Sequence, residues 1–215
     1  MSARRSRPFL IATLVLGYAL LEHYSNGPSA PRLLGALLAV APPMLAVALA
    51  VSRGPKARLF VPASLLGMLA LLLPLWPVLE RHFTRVYLLQ QCGIYLSLAV
   101  AFGVSLLPGR VPLCTRWAHQ AHGGLSAEAL RYTRAVTAAW TLFFMAIVAL
   151  SATLYAAAPR LVWSAFSNFV VLPLIAVMFA LEQLVRRRQL PSMVHIGVVD
   201  TLRLFLNDRT LARRP

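Results

Sequence analysis

Apolar positions along this chain fall in long unbroken runs, with neither the alternation of a half-buried strand nor the single stripe of a surface helix. The runs recur from Phe9 to Leu184. Each approaches the roughly 20 residues that a helix rising about 1.5 Å per residue needs to cross a ~30 Å hydrocarbon core. They predict six transmembrane helices, over residues 9–24, 33–51, 59–79, 86–107, 135–158 and 161–184. The expected architecture is an all-α, polytopic integral membrane domain over residues 1–190, interrupted by a loop at 108–134 and followed by a basic tail at 191–215. The first run follows Arg4, Arg5 and Arg7 in the manner of a secretory signal. No convincing small-x-small cleavage site follows it, because Ser29-Ala30 is flanked by Pro28 and Pro31, so an uncleaved first span is expected.

The loop and the tail carry local signals of their own. Gly123-Gly124 separates an amphiphilic stretch, Val111 to His122, from a helix start at which Ser126 is the N-cap and Glu128 complements the helix dipole. The fifth helix should therefore begin about two turns before its apolar run. Pro191 should end the sixth helix. In the tail, Val194, Val198, Leu202 and Phe205 repeat at four- and three-residue steps, which predicts a short amphipathic helix lying in the membrane interface, or alternatively a helix or strand packed on the inner loop.

Composition fixes the solvent. With 59% hydrophobic and 13% charged residues and a mean hydropathy of +0.71, the chain is too apolar for a soluble domain of its length. Its net charge of +15, from 21 Lys and Arg against 6 Asp and Glu, would otherwise suggest nucleic acid. The arginines sit at the ends of apolar runs without interleaved exposed aromatics, so membrane topology and anionic lipid explain the charge and no nucleic-acid partner is expected. With the amino terminus inside, six spans put 17 Lys and Arg in inner segments and 4 in outer ones. That bias predicts a multi-pass protein with both termini cytoplasmic.

Ionisable groups are almost missing from the spans. Glu22, Glu80 and Glu182 fall at helix ends, and no Asp, Lys, Arg or His falls mid-span, which argues against proton-coupled transport and against acid–base catalysis at the bilayer centre. Glu22, His23, Glu80 and His82 would share the outer surface, but helix-end solvation accounts for them and no metal or cofactor is expected. Cys92 and Cys114 would be separated by most of the membrane thickness, which excludes a disulfide. Pro42-Pro43 and Pro173 interrupt two spans, and the carbonyls they free need other partners or line a cavity. Gln90, Gln91 and Asn168 are available for hydrogen bonds between helices. At the inner face, Arg116, Arg131, Tyr132, Arg134, Glu182 and Arg186 to Arg188 form a candidate anion or partner site. Glu182 and Arg186 have the favourable i,i+4 order, and Arg131 or Arg134 is placed to reach the same carboxylate.

Several stretches carry a resemblance. Pro112-Leu113-Cys114-Thr115-Arg116, Leu130-Arg131-Tyr132-Thr133-Arg134-Ala135-Val136-Thr137 with Trp140 and Phe143-Phe144, Trp163-Ser164 with Phe166 and Asn168-Phe169, and Glu182 with Arg186-Arg187-Arg188 resemble an uncharacterised family of bacterial inner-membrane proteins. That family is associated with the ketosynthases, acyl-carrier proteins and acyltransferases that make aryl polyene pigments, including the xanthomonadin type. The resemblance covers roughly residues 86 to 190 and is most specific from Arg131 to Trp140. A second Asn-aromatic pair is expected after Asn168-Phe169, where this chain has Val171-Leu172-Pro173. The resemblance adds Trp140, Trp163 and Asn168 as a candidate helix-interior site and supplies no catalytic residue. It implies a non-catalytic membrane partner of aryl-polyene or related acyl-carrier-dependent lipid biosynthesis, with membrane lipid, acyl-carrier protein and pathway enzymes as partners. The alternatives are a lipid or polyene flippase, drawn from the mid-span prolines, and an inner-surface acyltransferase using His119, His122 or Cys114.

Overall fold

A computed structural model describes residues 2–52, 57–122 and 124–189, and every regular element among them is helical. In chain order these are α1 (Ser2–Ser25), α2 (Arg32–Val51), α3 (Ala57–Leu72), α4 (Trp76–Ser105), α5 (Leu113–His122), α6 (Ala127–Ala157), α7 (Arg160–Ala165), a π-helical turn (Phe166–Val170) and α8 (Val171–Gln189). Four helical stretches are long and apolar enough to cross a membrane: α2, α4, α6 and the continuous run Arg160–Gln189. The tail expected to form an interfacial helix lies outside the described residues.

The third apolar run is not one uniform span over 59–79. Instead of continuing to Leu79, α3 stops at Leu72, the chain turns through residues 73–75, and α4 begins at Trp76. Pro74 has no amide to continue the ladder, and Pro77 falls in the first turn of α4, where its missing amide costs nothing. Glu80, Arg81 and Arg85 therefore sit within a helix that bends at His82 (φ −127°, ψ 17°), not in the outer loop that the apolar pattern suggested.

The described residues form two compact units. The first comprises α1 to α3, α4 as far as Ile94, α6 from Ile147, and α7 with the π turn to Leu172. Its core joins Ala39, Phe83, Tyr87 and Trp163, beside a second cluster of Ala36, Val40 and Leu79. Small residues on α2 allow this approach: a Cβ on Gly35 would lie 2.5 Å from the Phe83 ring.

Helix α2 runs unbroken through Pro42 and Pro43. Those prolines lack the amides that would serve the carbonyls of Leu38 and Ala39, four residues earlier. Both carbonyls have side-chain donors instead. Tyr18 donates its hydroxyl to the Leu38 oxygen at 3.1 Å, and Gln90 donates Nε2 to the Ala39 oxygen at 2.8 Å. Tyr87 adds a bond to the Gly35 carbonyl at 2.8 Å. Farther along the chain, the π turn ends three residues before Pro173, whose ring would collide with the Phe169 carbonyl in a regular α-helix. The amide of Val171 reaches the Phe166 carbonyl, five residues back.

The second unit contains α4 from Tyr95, α5, α6 to Ala146, and α8 from Pro173. Phe102, Trp140 and Phe144 form its core, with Tyr95, Phe143 and Met178 around them. Leu107-Pro108-Gly109-Arg110 is a tight turn closed by Arg110 N–H to Leu107 C=O at 3.1 Å, with Gly109 at φ +77° as the third residue of a type II turn requires. Ser105 Oγ accepts the Leu113 amide at 3.0 Å and so joins the two ends of this connection. Ser126 caps α6 as expected, accepting the Ala129 amide at 3.2 Å.

If Gln90 acts as a surrogate donor for Pro43, Gln90→Leu should destabilise the detergent-solubilised protein by about 1 kcal/mol. The cost should largely vanish in a Pro43→Ala background, where a backbone amide can serve Ala39 again. Reversible unfolding of the four proteins of this cycle measures the coupling, and strictly additive effects would show that the bond carries no such role.

Candidate functional site

The inner-face candidates all lie in the second unit, where the sequence motif around Arg131 resolves into separate jobs. Tyr132 is buried and donates its hydroxyl to the Glu182 carbonyl at 3.0 Å, with the Glu182 carboxylate 3.4 Å away. That carboxylate also pairs with Arg186 Nε at 3.4 Å. The i,i+4 ion pair is thus formed, but neither Arg131 nor Arg134 joins it. Arg134 Nη2 instead donates to the Leu106 carbonyl at 2.9 Å, one of the orphan acceptors just past the C-terminus of α4. A cation there also suits the negative end of the helix dipole. Arg131 is exposed and has no partner among the described residues.

The threonines of the same motif hold α5 against α6. Thr133 donates to the Ala129 carbonyl at 2.9 Å and lies 2.7 Å from the Thr115 hydroxyl, while Thr137 Oγ1 accepts the Cys114 amide at 3.3 Å. Residues 115, 133 and 137 are all buried. The surface left outside is strongly basic: the described part of this unit carries seven arginines against two glutamates, Glu128 and Glu182, and Glu182 is already engaged.

Arg116, at the start of α5, shares a groove with Arg110 that sequence reasoning had counted only as a topology signal. The groove has a volume of about 410 Å³ and is lined by Gly109 of the turn, by Ser105, and by apolar residues including Val104, Val111 and Leu113. A Pro-Gly pair followed at once by arginine, and a second arginine six residues later, was the available clue.

The helix-interior candidates divide. Trp140 belongs to the aromatic core of the second unit, with ring centroids 4.6 Å from Phe179 and 5.4 Å from Phe144. Trp163 and Asn168 lie in the first unit, within a polar network around the π turn. Trp163 is fully buried and donates Nε1 to Ser151 Oγ at 2.9 Å. Gln91 Oε1 accepts from Ser151 Oγ at 2.8 Å and from Ser167 Oγ at 2.9 Å, leaving Nε2 buried without a partner among the described residues. Reversing the amide would only exchange which of its atoms is unpaired. Asn168 Nδ2 donates to the Ser164 carbonyl at 3.0 Å, and His23 Nδ1 lies 3.1 Å from Ser164 Oγ with its ring edge-on to Phe169. Ser151 and Ser164 were not singled out by sequence, since a serine within an apolar run carries no signal of its partner.

Among the described residues no group of three or more His, Cys, Asp or Glu is arranged to hold a metal. Glu80 accepts from Trp76 Nε1 at 3.0 Å. His119 is exposed on α5, and both cysteines are free thiols. Burial pushes the Cys114 thiol above its ordinary value, against a smaller opposing effect of the Thr137 hydrogen bond, so little thiolate is present near neutral pH. In a Cys92→Ser background, Cys114 should be alkylated by iodoacetamide about tenfold more slowly in the folded protein than in the unfolded chain. Its rate should continue to rise with pH beyond the ~8.5 midpoint of a free thiol. A midpoint at that value would mean an unperturbed thiol, and one well below it would identify an activated nucleophile instead.

Comparison with known proteins finds no matching family model, no similar curated protein and no similar solved structure.

Proposed function

We propose that this chain is a non-catalytic integral protein of a bacterial inner membrane, with both termini cytoplasmic and six membrane passes in all. Its role is to support aryl-polyene or related acyl-carrier-dependent lipid biosynthesis by docking the acyl-carrier protein and its enzymes on a basic inner face. The observation that carries this reading is the surplus of arginine on the second unit. Arg116, Arg131 and Arg134 are exposed, and Glu182 is committed to Tyr132 and Arg186. An exposed field of one sign steers and orients an acidic partner. The motif resemblance supplies the biological setting, and the raised Cys114 thiol gives little support to a catalytic cysteine at this face.

Transport draws on the mid-span prolines, but in α2 the freed carbonyls are already taken by Tyr18 and Gln90. Those carbonyls are not left to coordinate a substrate, so docking has the stronger support.

Deletion of the gene, followed by pigment and lipid analysis of separated inner and outer membranes, tests the reading. Docking predicts loss of product with untransferred acyl chains retained on the carrier protein. Charge reversal at Arg131 should reproduce part of that loss. Normal product stranded in the inner membrane would favour transport, and unchanged amount, composition and location of product would remove the pathway role altogether.

A further inference from the structure

The groove between the Pro-Gly turn and α5 has a construction that protein docking does not require. Its walls differ in character: Val104, Val111 and Leu113 are apolar, whereas Arg110 and Arg116, both exposed, are the two charged residues that line the same hollow. Neither arginine has a carboxylate partner among the described residues. The hollow is held open by covalent and hydrogen-bonded geometry. Gly109 at φ +77° reverses the chain, Ser105 clamps the Leu113 amide, and Arg134 holds the Leu106 carbonyl immediately before the turn. On α5, next in sequence to Arg116, Trp117 is half exposed and packs edge-on against Phe102 at 5.7 Å. Tryptophan in that state is at home in the headgroup layer of a bilayer.

We propose that this groove is a binding site for the phosphate of an anionic phospholipid. A carboxylate has two oxygens and is satisfied by one guanidinium fork, whereas a lipid phosphate offers enough acceptor sites for two forks at once. The apolar wall suits the glycerol and upper acyl region of the same molecule, which a free phosphate ion would leave uncovered. At about 410 Å³ the hollow accommodates a headgroup and the beginning of its chains, not a whole lipid. This assignment concerns lipid and not protein; it shares Arg116 with the docking face and leaves Arg131 and the arginines of α8 outside the site.

The full-length protein, purified in neutral detergent and returned to phosphatidylcholine nanodiscs with or without phosphatidylglycerol, provides the test. Retention of labelled phosphatidylglycerol should fall about tenfold or more in the Arg110→Gln/Arg116→Gln variant. It should be unchanged in Arg131→Gln/Arg187→Gln, which removes the same charge elsewhere in the unit. Equal losses in both variants would mean diffuse surface attraction and would overturn the proposal. Arg110→Lys, which keeps the charge and the exposed position but loses the fork, should lose binding several-fold and guards against misfolding of the double variant. Inorganic phosphate should compete only weakly. Competition by inorganic phosphate as effective as that by a short-chain phosphatidylglycerol would assign the site to a free anion and overturn its assignment to lipid.

Discussion

A backbone in hydrocarbon must satisfy its own hydrogen bonds, and Pro42-Pro43 makes that requirement local. Two consecutive amides are missing from α2, in the middle of a helix long and apolar enough to cross a membrane. The structure answers with Tyr18 and Gln90, whose donors meet the two freed carbonyls at 3.1 and 2.8 Å. These bonds do more than cap. Tyr18 belongs to α1 and Gln90 to α4, so satisfying the defect in α2 fixes the placement of two neighbours. The close contact of Gly35 with Phe83 and the bond from Tyr87 to the Gly35 carbonyl repeat that arrangement one turn earlier. Proline here acts as an address for side-chain donors on adjacent helices.

The second unit reaches order by another route. Its α6 has no proline, so the contacts that position α5 and α8 come from side chains at helical spacing. Thr133 and Thr137 are four residues apart and meet Thr115 and the Cys114 amide of α5, while Tyr132, next to Thr133, reaches Glu182 of α8. Arg131 and Arg134 fall on exposed positions, Arg134 with one guanidinium nitrogen bonded to the Leu106 carbonyl. One short motif therefore divides between holding three helices and presenting charge, and its tyrosine and threonines act as structural residues.

Hydrophobic runs made most helices legible, and Ser126 announced the start of α6 because an N-cap depends only on residues adjacent in sequence. The break between α3 and α4 was harder to see. Pro74 and Pro42-Pro43 look equivalent in an apolar run, yet one ends a helix and the other pair is carried through it. The difference lies in donors supplied by distant residues, Tyr18 and Gln90, which no local pattern reveals. Similarly, the Glu182 and Arg186 pair was readable from its spacing, whereas the turn of Arg134 toward Leu106 depends on where α4 ends in space. Trp140 was grouped with Trp163 by motif alone, and the two belong to different cores.

The distribution of unsatisfied groups indicates where partners can act. Around the π turn the hydroxyls of Ser151, Ser164 and Ser167 are each engaged, and among the described residues of the first unit Gln91 Nε2 and Asn26 Oδ1 are the buried side-chain atoms without a partner. A single unpaired amide atom suits one water molecule better than a substrate. In the second unit, by contrast, the unspent capacity is ionic and exposed: Arg110 and Arg116 face a shaped hollow, while Arg131 is open to solvent. Guanidinium groups at a surface cost little desolvation until an anion arrives, and a preformed hollow removes part of the ordering cost of binding it. Polar groups in the first unit therefore bind helices to one another, and the charge left over for a partner is that of the arginines of the second.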